Sequence, residues 1–375
     1  MPLARRIGWK LHRLKVDHVR GYSGFSAKSR KKMLFLTLPD SICKAQVFPF
    51  FFHAAELRIR KGLEVAEATL AAFRRSPKRF SAEVDAVAFQ TGFDLAPGEM
   101  SDLVSEIRAA FPQARIAYLD WFAPTDLRYA SVLNDSIDVY VKKHLLRDPD
   151  QYGKTTLGDT NLTDYYSRRF NLKEPPTRFE VPSSFFSKVV IGSNFSFADY
   201  IVPYFGRPFP GSSSRPIDLH ARITTEGTGW YSAMRGEARD RVKSLEGLTV
   251  ACQGRVSRPQ YLRELFRSKL CFSPFGYGEV CWRDYEAVMA GSLLLKPDMS
   301  HIKTRPDIFI PGETYVPLAW DLSDLEQTCR RYLKDEAARV RIAKNAFSIL
   351  SDYFRRGDFL TDMDPFFEKL LAPRG

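Results

Sequence analysis

The stretch FSPFGYGEVCWRDYEAVMAGSLLLKPD, Phe272–Asp298, reads as a buried strand, a glycine turn, a helix and a second buried strand. Strands that alternate with helices in this way build a parallel sheet with crossover helices. Gly276 and Gly278 follow the first strand, where glycine lets backbone amides approach a phosphate and the helix N-terminus adds partial positive charge. Glu279 and Arg283 are four residues apart and Arg283 and Glu286 three apart, so the spacing puts all three on one helix face. Such a face is either a solvated ion pair or a group of ligand contacts. Neither the six-residue dinucleotide fingerprint nor the full Gly-x-x-x-x-Gly-Lys-Ser/Thr phosphate loop occurs in the chain; Gly153-Lys154-Thr155 has Asp148 where that loop needs its first glycine.

The same alternation extends outward in both directions. MLFLTLP (Met33–Pro39), AVAFQ (Ala86–Gln90), ARIAYLDW (Ala114–Trp121) and DVYVKKHLL (Asp138–Leu146) are apolar enough to be strands. Helical patterns separate them over His53–Phe73, Gly98–Phe111 and Thr125–Asn134. Asp148–Pro182 breaks the pattern, being polar and carrying Pro175-Pro176. Beyond it, strands are expected at Pro216–Ile223, Leu248–Gly254, Leu270–Gly276 and Ser292–Asp298. Helices are expected at Gly229–Leu245 and at Ser257–Lys269, with Ser257 as cap and Pro259 in the first turn. Three helical patterns close the chain between Ser323 and Leu371.

The expected fold is therefore α/β: two facing Rossmann-like domains with a cleft between them, followed by a C-terminal helical segment. The boundaries follow composition. A basic arm spans 1–32, the N-terminal domain 33–182 with an irregular excursion at 148–182, the C-terminal domain 183–350 and a final helix 351–375. At 375 residues the chain exceeds what one core usually holds.

Fifty-six Lys and Arg against 44 Asp and Glu leave a net charge of +12, which implies an anionic partner. The arm interleaves Arg5, Arg6, Lys10, Arg13, Lys15 and Arg20 with Ile7, Trp9, Leu11 and Leu14. That pattern suits an anionic membrane surface, or a solvated arm packed on the body. Five scattered cysteines without a CxxC pair point to a reducing compartment, the cytoplasm. No apolar run is long enough to span a membrane. Six histidines show no HExxH or paired spacing, and Asp148-Pro149-Asp150 lies in a turn-forming context, so no metal site is expected.

Phe272–Asp298 resembles the nucleotide-sugar site of GT-B glycosyltransferases, most closely the exostosin-like group, over about Leu248–Phe309. Arg283, Glu286-Ala287, Gly291 and Asp298 occupy the places of that group's pattern. The resemblance implies a GT-B fold and metal-independent transfer of a sugar from a nucleotide-activated donor to a glycan or lipid-linked acceptor. It implies no cofactor beyond the nucleotide-sugar substrate. Glu286 would bind the donor ribose, and Arg283 would meet the diphosphate or orient Glu286. Glu279 lies seven residues before Glu286, one short of the spacing of retaining members, so retention and inversion both stay open.

Further donor cations are sought at strand ends facing the cleft. Arg222 after IDLHARI and Arg255 after Gly254 qualify, since a guanidinium grips a diphosphate with two parallel hydrogen bonds. An inverting reaction needs a base at a strand end of the N-terminal domain. Asp120 beside Trp121 is the favoured residue, with Asp40, His53 and Asp94 as alternatives, and His220 as a cleft residue touching the donor. A catalytically silent GT-B scaffold is the first rival reading. Nucleic-acid binding is disfavoured because the basic residues are dispersed and no recognition motif appears.

Overall fold

The computed structural model describes Phe25 and residues 30–80, 84–93, 95–211 and 214–372. The basic arm thus lies outside the described residues, apart from Phe25 and the residues that lead into the first strand. Strands β1 (Lys31–Thr37), β2 (Leu63–Thr69), β3 (Ala86–Phe89), β4 (Arg115–Asp120) and β5 (Val139–Lys142) belong to the first sheet. Three short strands then lie outside it: β6 (His144–Leu146), β7 (Thr156–Leu157) and β8 (Pro176–Thr177). β9 (Val189–Ile191) returns to complete a parallel sheet of order β2-β1-β3-β4-β5-β9.

The second sheet contains β10 (Ile217–His220), β11 (Val250–Ala251), β12 (Ser268–Phe272), β13 (Leu293–Pro297) and, after β14 (Ile302–Thr304), β15 (Val316–Leu318). Its order is β11-β10-β12-β13-β15, again parallel throughout. In each sheet the order of strand addition therefore reverses once, between β1 and β3 in the first and between β10 and β12 in the second. In open α/β sheets ligands gather beyond the strand ends at such a reversal. The expected pair of Rossmann-like domains is present.

Both faces of each sheet are covered by helices, which explains the continuous apolar strands. Met33 and Phe35 of β1 enter one core cluster, while Leu34 and Leu36 enter another on the opposite face. Leu270 and Phe272 likewise point away from Cys271. No helix among the described residues is long and apolar enough to cross a membrane.

Three expectations require correction. The helical pattern over His53–Phe73 is interrupted: helix Ala54–Lys61 ends at Gly62 with φ 62°, and Leu63–Thr69 is the edge strand β2. Its Ala and Glu favour helix, but pairing with β1 and a hydrogen bond from Thr37 Oγ1 to buried Glu67, 2.6 Å, override that preference. The polar-faced segment Thr125–Asn134 forms only a short helix, Ala130–Leu133. The fourth expected strand divides after Lys142, because β6 leaves the sheet to pair antiparallel with β14 of the second domain.

The boundary at 182 also moves, because β9 pairs with β5 in the first sheet. At the other end, helix Glu336–Arg356 runs past 350 to Gly357, and two short helices, Phe359–Asp362 and Asp364–Leu371, follow. These cross back to the first domain, where Phe359 and Phe366 pack on Phe50 at ring separations of 5.1 and 5.5 Å. The chain's end thus staples the two domains together.

Candidate functional site at the domain interface

The glycine turn after β12 faces the first domain. A Cβ on Gly278 would stand 1.8 Å from the carbonyl oxygen of Ala123, so only glycine permits this close approach of two backbones. The amide of Gly276 donates to the carbonyl of Gly278 at 3.0 Å. The turn that was expected to cradle phosphate is instead folded on itself and pressed against the opposite domain.

Helix Trp282–Ala290 starts three residues later than the spacing suggests. Asp284 Oδ2 accepts the N–H of Cys281 at 2.8 Å, and Asp284 Oδ1 accepts from Ser273 at 2.6 Å and Lys296 at 3.0 Å. Glu279 therefore lies in the turn, off the helix face it was expected to share with Arg283 and Glu286. It is fully buried between the domains. Its Oε2 accepts from Thr125 Oγ1 at 2.5 Å and faces His144 Nε2 at 3.3 Å. Its Oε1 accepts from Asn161 Nδ2 at 3.2 Å and faces His301 Nε2 at 3.4 Å.

The electrostatics follow from those partners. Burial alone would raise the Glu279 carboxyl, but the hydrogen bonds from His144 and His301 outweigh it and hold the group well below the usual carboxylate range. Burial lowers the His144 imidazole to about 4 despite the carboxylate beside it. A neutral His144 therefore donates from Nε2 to an ionised Glu279.

A second cluster surrounds Glu286, which is 5 % exposed. Tyr200 Oη donates to Oε1 at 2.9 Å, Tyr261 Oη donates to Oε2 at 2.8 Å, and Arg258 Nη2 reaches Oε1 at 3.4 Å. The Arg258 guanidinium also lies 4.0 Å over the Tyr200 ring. One turn earlier on the helix, Arg283 donates to the backbone carbonyl of Arg222 where β10 ends. Among the described residues no carboxylate lies within 4.0 Å of the Arg283 guanidinium. Its charge is held at the sheet reversal beside the Tyr261 hydroxyl, with Glu286 acting on it from beyond ion-pair distance.

Other expected site residues are committed elsewhere. Arg222 is forked onto Glu264 at 2.6 and 2.9 Å and donates to the carbonyls of Gln253 and Gly254, so it clasps the ends of β10 and β11. Arg255 is 83 % exposed and 3.6 Å from Glu226. His220 is sealed beneath the strand ends with its edge on Tyr261, and neither ring nitrogen has a hydrogen-bond partner. Burial, and then the charge of Arg283, lower it to about 3, so it is a neutral packing residue and no proton acceptor near neutral pH.

Asp120 is corrected as a base. It is fully buried and its carboxylate is spent on Lys142 at 2.6 Å, Tyr140 at 2.5 Å and the N–H of Phe122 at 2.8 Å. Trp121 beside it donates its indole N–H to the carbonyl of Thr91 at 2.8 Å. Asp40 caps helix Ser41–Phe52 by accepting from Ile42 N at 2.7 Å, and His53 is buried between helices. Asp94 lies outside the described residues. His144, His301, Tyr200, Tyr261 and Arg258 join the site unannounced by the sequence, since no spacing or motif links segments so far apart along the chain.

No protein-family model matches the chain, and no curated protein matches it. Among solved structures it is similar to an α-glucosyltransferase in complex with UDP and a 13-mer DNA containing a central A:G mismatch. That likeness has 9 % identity over 89 % of this chain and 100 % of that one, with a TM-score of 0.48. Sucrose-phosphate synthase from Thermosynechococcus elongatus is similar at 12 % identity over 92 % and 100 % of the two chains, TM-score 0.47. A UDP-N-acetylglucosamine 2-epimerase from Listeria monocytogenes, described as putative, is similar at 13 % identity over 90 % and 98 %, TM-score 0.42. These likenesses are distant, and the two-sheet architecture is established by the strand pairing of this chain itself.

Proposed function

We propose that this chain is a glycosyltransferase that moves a sugar from a nucleotide-activated donor to a hydroxyl of a glycan or lipid-linked acceptor, without a metal ion. The observation that carries this reading is Arg283, whose guanidinium has no carboxylate within 4.0 Å among the described residues, at the reversal between β10 and β12. A departing nucleotide diphosphate supplies the missing negative charge, and the stabilisation grows as the sugar–oxygen bond breaks. Helix Gly229–Lys243 supports it from the same strand end, since its cap residue Thr228 makes no side-chain cap bond and leaves the first turn's amides to an anion. Arg258, 54 % exposed, is the outer cation, since Arg222 is held by Glu264.

In this reading Glu286 accepts the ribose hydroxyls in exchange for a tyrosine hydroxyl, a role that its place in the exostosin-like pattern supports. The basic arm, residues 1–32, suits a peripheral position on the cytoplasmic face of an anionic membrane, where lipid-linked acceptors are met.

Calorimetric titration of UDP, GDP, CDP, CMP and ADP into the wild type and Glu286→Ala tests the reading. One nucleotide binding in the micromolar range and at least tenfold more weakly in the variant, about 1.4 kcal/mol, supports it. A folded wild type that binds none of them overturns it. Binding without turnover of any corresponding nucleotide-sugar identifies a silent scaffold instead.

A further inference from the structure

A cavity of about 550 Å³ opens between the excursion after β6 and the loop that follows β13. Tyr152, Phe179 and Trp320 give it aromatic walls, and polar side chains such as Gln151 and Asn161 alternate with them. Five aspartates, Asp126 and Asp298 among them, line it against the two cations Arg147 and Lys154. Asp126 and Asp159 are paired with Arg128 and Asp164 with Arg168, so the wall lacks the free positive charge that a nucleotide diphosphate needs and suits a neutral ligand. Aromatic faces interleaved with hydrogen-bonding groups are what a neutral polyol needs: C–H surfaces to cover and hydroxyls to satisfy.

His301 lines this cavity, with a side chain 25 % exposed and its ring 5.1 Å from that of Trp320. Behind it stands Glu279, fully buried and held by donors from three other segments. An ionised Glu279 facing Nε2 keeps the proton on that nitrogen and leaves Nδ1 as the basic atom of the ring. We infer that the cavity takes a neutral polyol acceptor and that His301, oriented by Glu279, is the base that activates its hydroxyl. The inference rests on the transferase reading above and deepens it.

The step balances without a co-reactant. The acceptor O–H gives its proton to His301 Nδ1 while its oxygen bonds to the anomeric carbon. The bond from that carbon to the diphosphate oxygen breaks, and its electron pair leaves with the nucleotide diphosphate. A single displacement of this kind inverts the anomeric centre.

The test compares the wild type with His301→Ala and Trp320→Ala. Nucleotide titration comes first: unchanged affinity in both variants, within about twofold, certifies the fold and the donor site independently of the inference. Methyl β-D-glucopyranoside, methyl α-D-mannopyranoside and glycerol are then titrated by tryptophan fluorescence with the nucleotide bound. At least one should saturate the wild type and bind at least tenfold more weakly to Trp320→Ala. With the nucleotide-sugar and that polyol, His301→Ala should lose about 10²–10⁴-fold in kcat, recover part of it with added imidazole, and the wild-type product should show an inverted anomeric proton by NMR. Retention of configuration, wild-type turnover by His301→Ala, failure of every polyol to bind, or absence of any transfer overturns the inference. Failure of the nucleotide to bind strikes the transferase reading instead.

Discussion

The carboxylate of Glu279 and the imidazole of His144 meet at 3.3 Å, and neither side chain is exposed to solvent. One belongs to the turn after β12 in the second domain, the other to the strand that leaves the first sheet to pair with β14. The contact therefore ties the glycine turn of the second domain to the β6–β14 ribbon that links the two domains. A buried carboxylate is tolerated here because four side chains offer it hydrogen bonds.

Removing Glu279 should loosen the interface. Glu279→Ala leaves the neutral donors Thr125, Asn161 and His144 without their carboxylate acceptor, a loss of about 1–3 kcal/mol. Urea unfolding should show a lower midpoint, and a cycle with His144→Ala should give a coupling of about 1–3 kcal/mol. An unchanged midpoint in Glu279→Ala would show that the contact clamps nothing.

Gly278→Ala tests the backbone approach. The added methyl would sit 1.8 Å from the Ala123 carbonyl oxygen, so the two backbones must part. A loss of about 1–3 kcal/mol is expected, read as a fall in Tm with a measurable rise in radius of gyration. Gly276→Ala is the control, its nearest neighbour being Cys281 Sγ at 3.4 Å, and it should cost less.

Arg222→Lys separates a clasp from a ligand contact. A lysine cannot reproduce the fork on Glu264 at 2.6 and 2.9 Å or reach the two loop carbonyls together. Thermal unfolding should report a loss of about 1–2 kcal/mol for hydrogen bonds to charged groups. Wild-type stability in this variant contradicts the assignment.

Lys143 gives a pH-dependent signature. Burial, then the charge of Lys142, lower its ammonium from 10.5 to about 7. The unfolded chain binds that proton more tightly, so the lysine destabilises the fold most below pH 7, and the cost vanishes as pH rises through 10.5. Lys143→Met should therefore raise Tm more at pH 6 than at pH 9. Equal gains at both would mean that the lysine titrates normally.

Acid should weaken the fold through two neutral histidines. Burial lowers His144 to about 4 and His220 to about 3 from an ordinary 6.5. Between these values the unfolded state takes up protons that the folded state refuses, so stability falls as pH falls from 6.5 toward 4. His220→Phe should flatten that slope in urea titrations at several pH values. A slope unchanged from wild type would remove His220 from the account.

Local chemistry was legible in the chain. The strand–turn–helix–strand unit at Phe272–Asp298 is where it was expected, and Gly291 ends its helix at φ 68°. Ser257 caps helix Arg258–Phe266 through Gln260 N at 3.4 Å. The alternation of apolar runs with helical patterns was enough for two parallel sheets, because strand and helix periods are written into consecutive residues. β2 escaped notice because Ala and Glu carry a helical bias that only its neighbour β1 overrides.

Partners were not legible. Asp120 at a strand end and Glu279 beside a glycine turn look alike as exposed, reactive carboxylates. In the fold the first is neutralised by Lys142 and Tyr140 from the next strand, and the second is enclosed by histidines from β6 and the loop after β13. A side chain's type and its place on a helix or strand are properties of nearby residues. Whether its charge is spent, buried or left for a ligand depends on groups brought within about 4 Å by the tertiary structure, since at that range burial and pairing outweigh anything the residue carries alone.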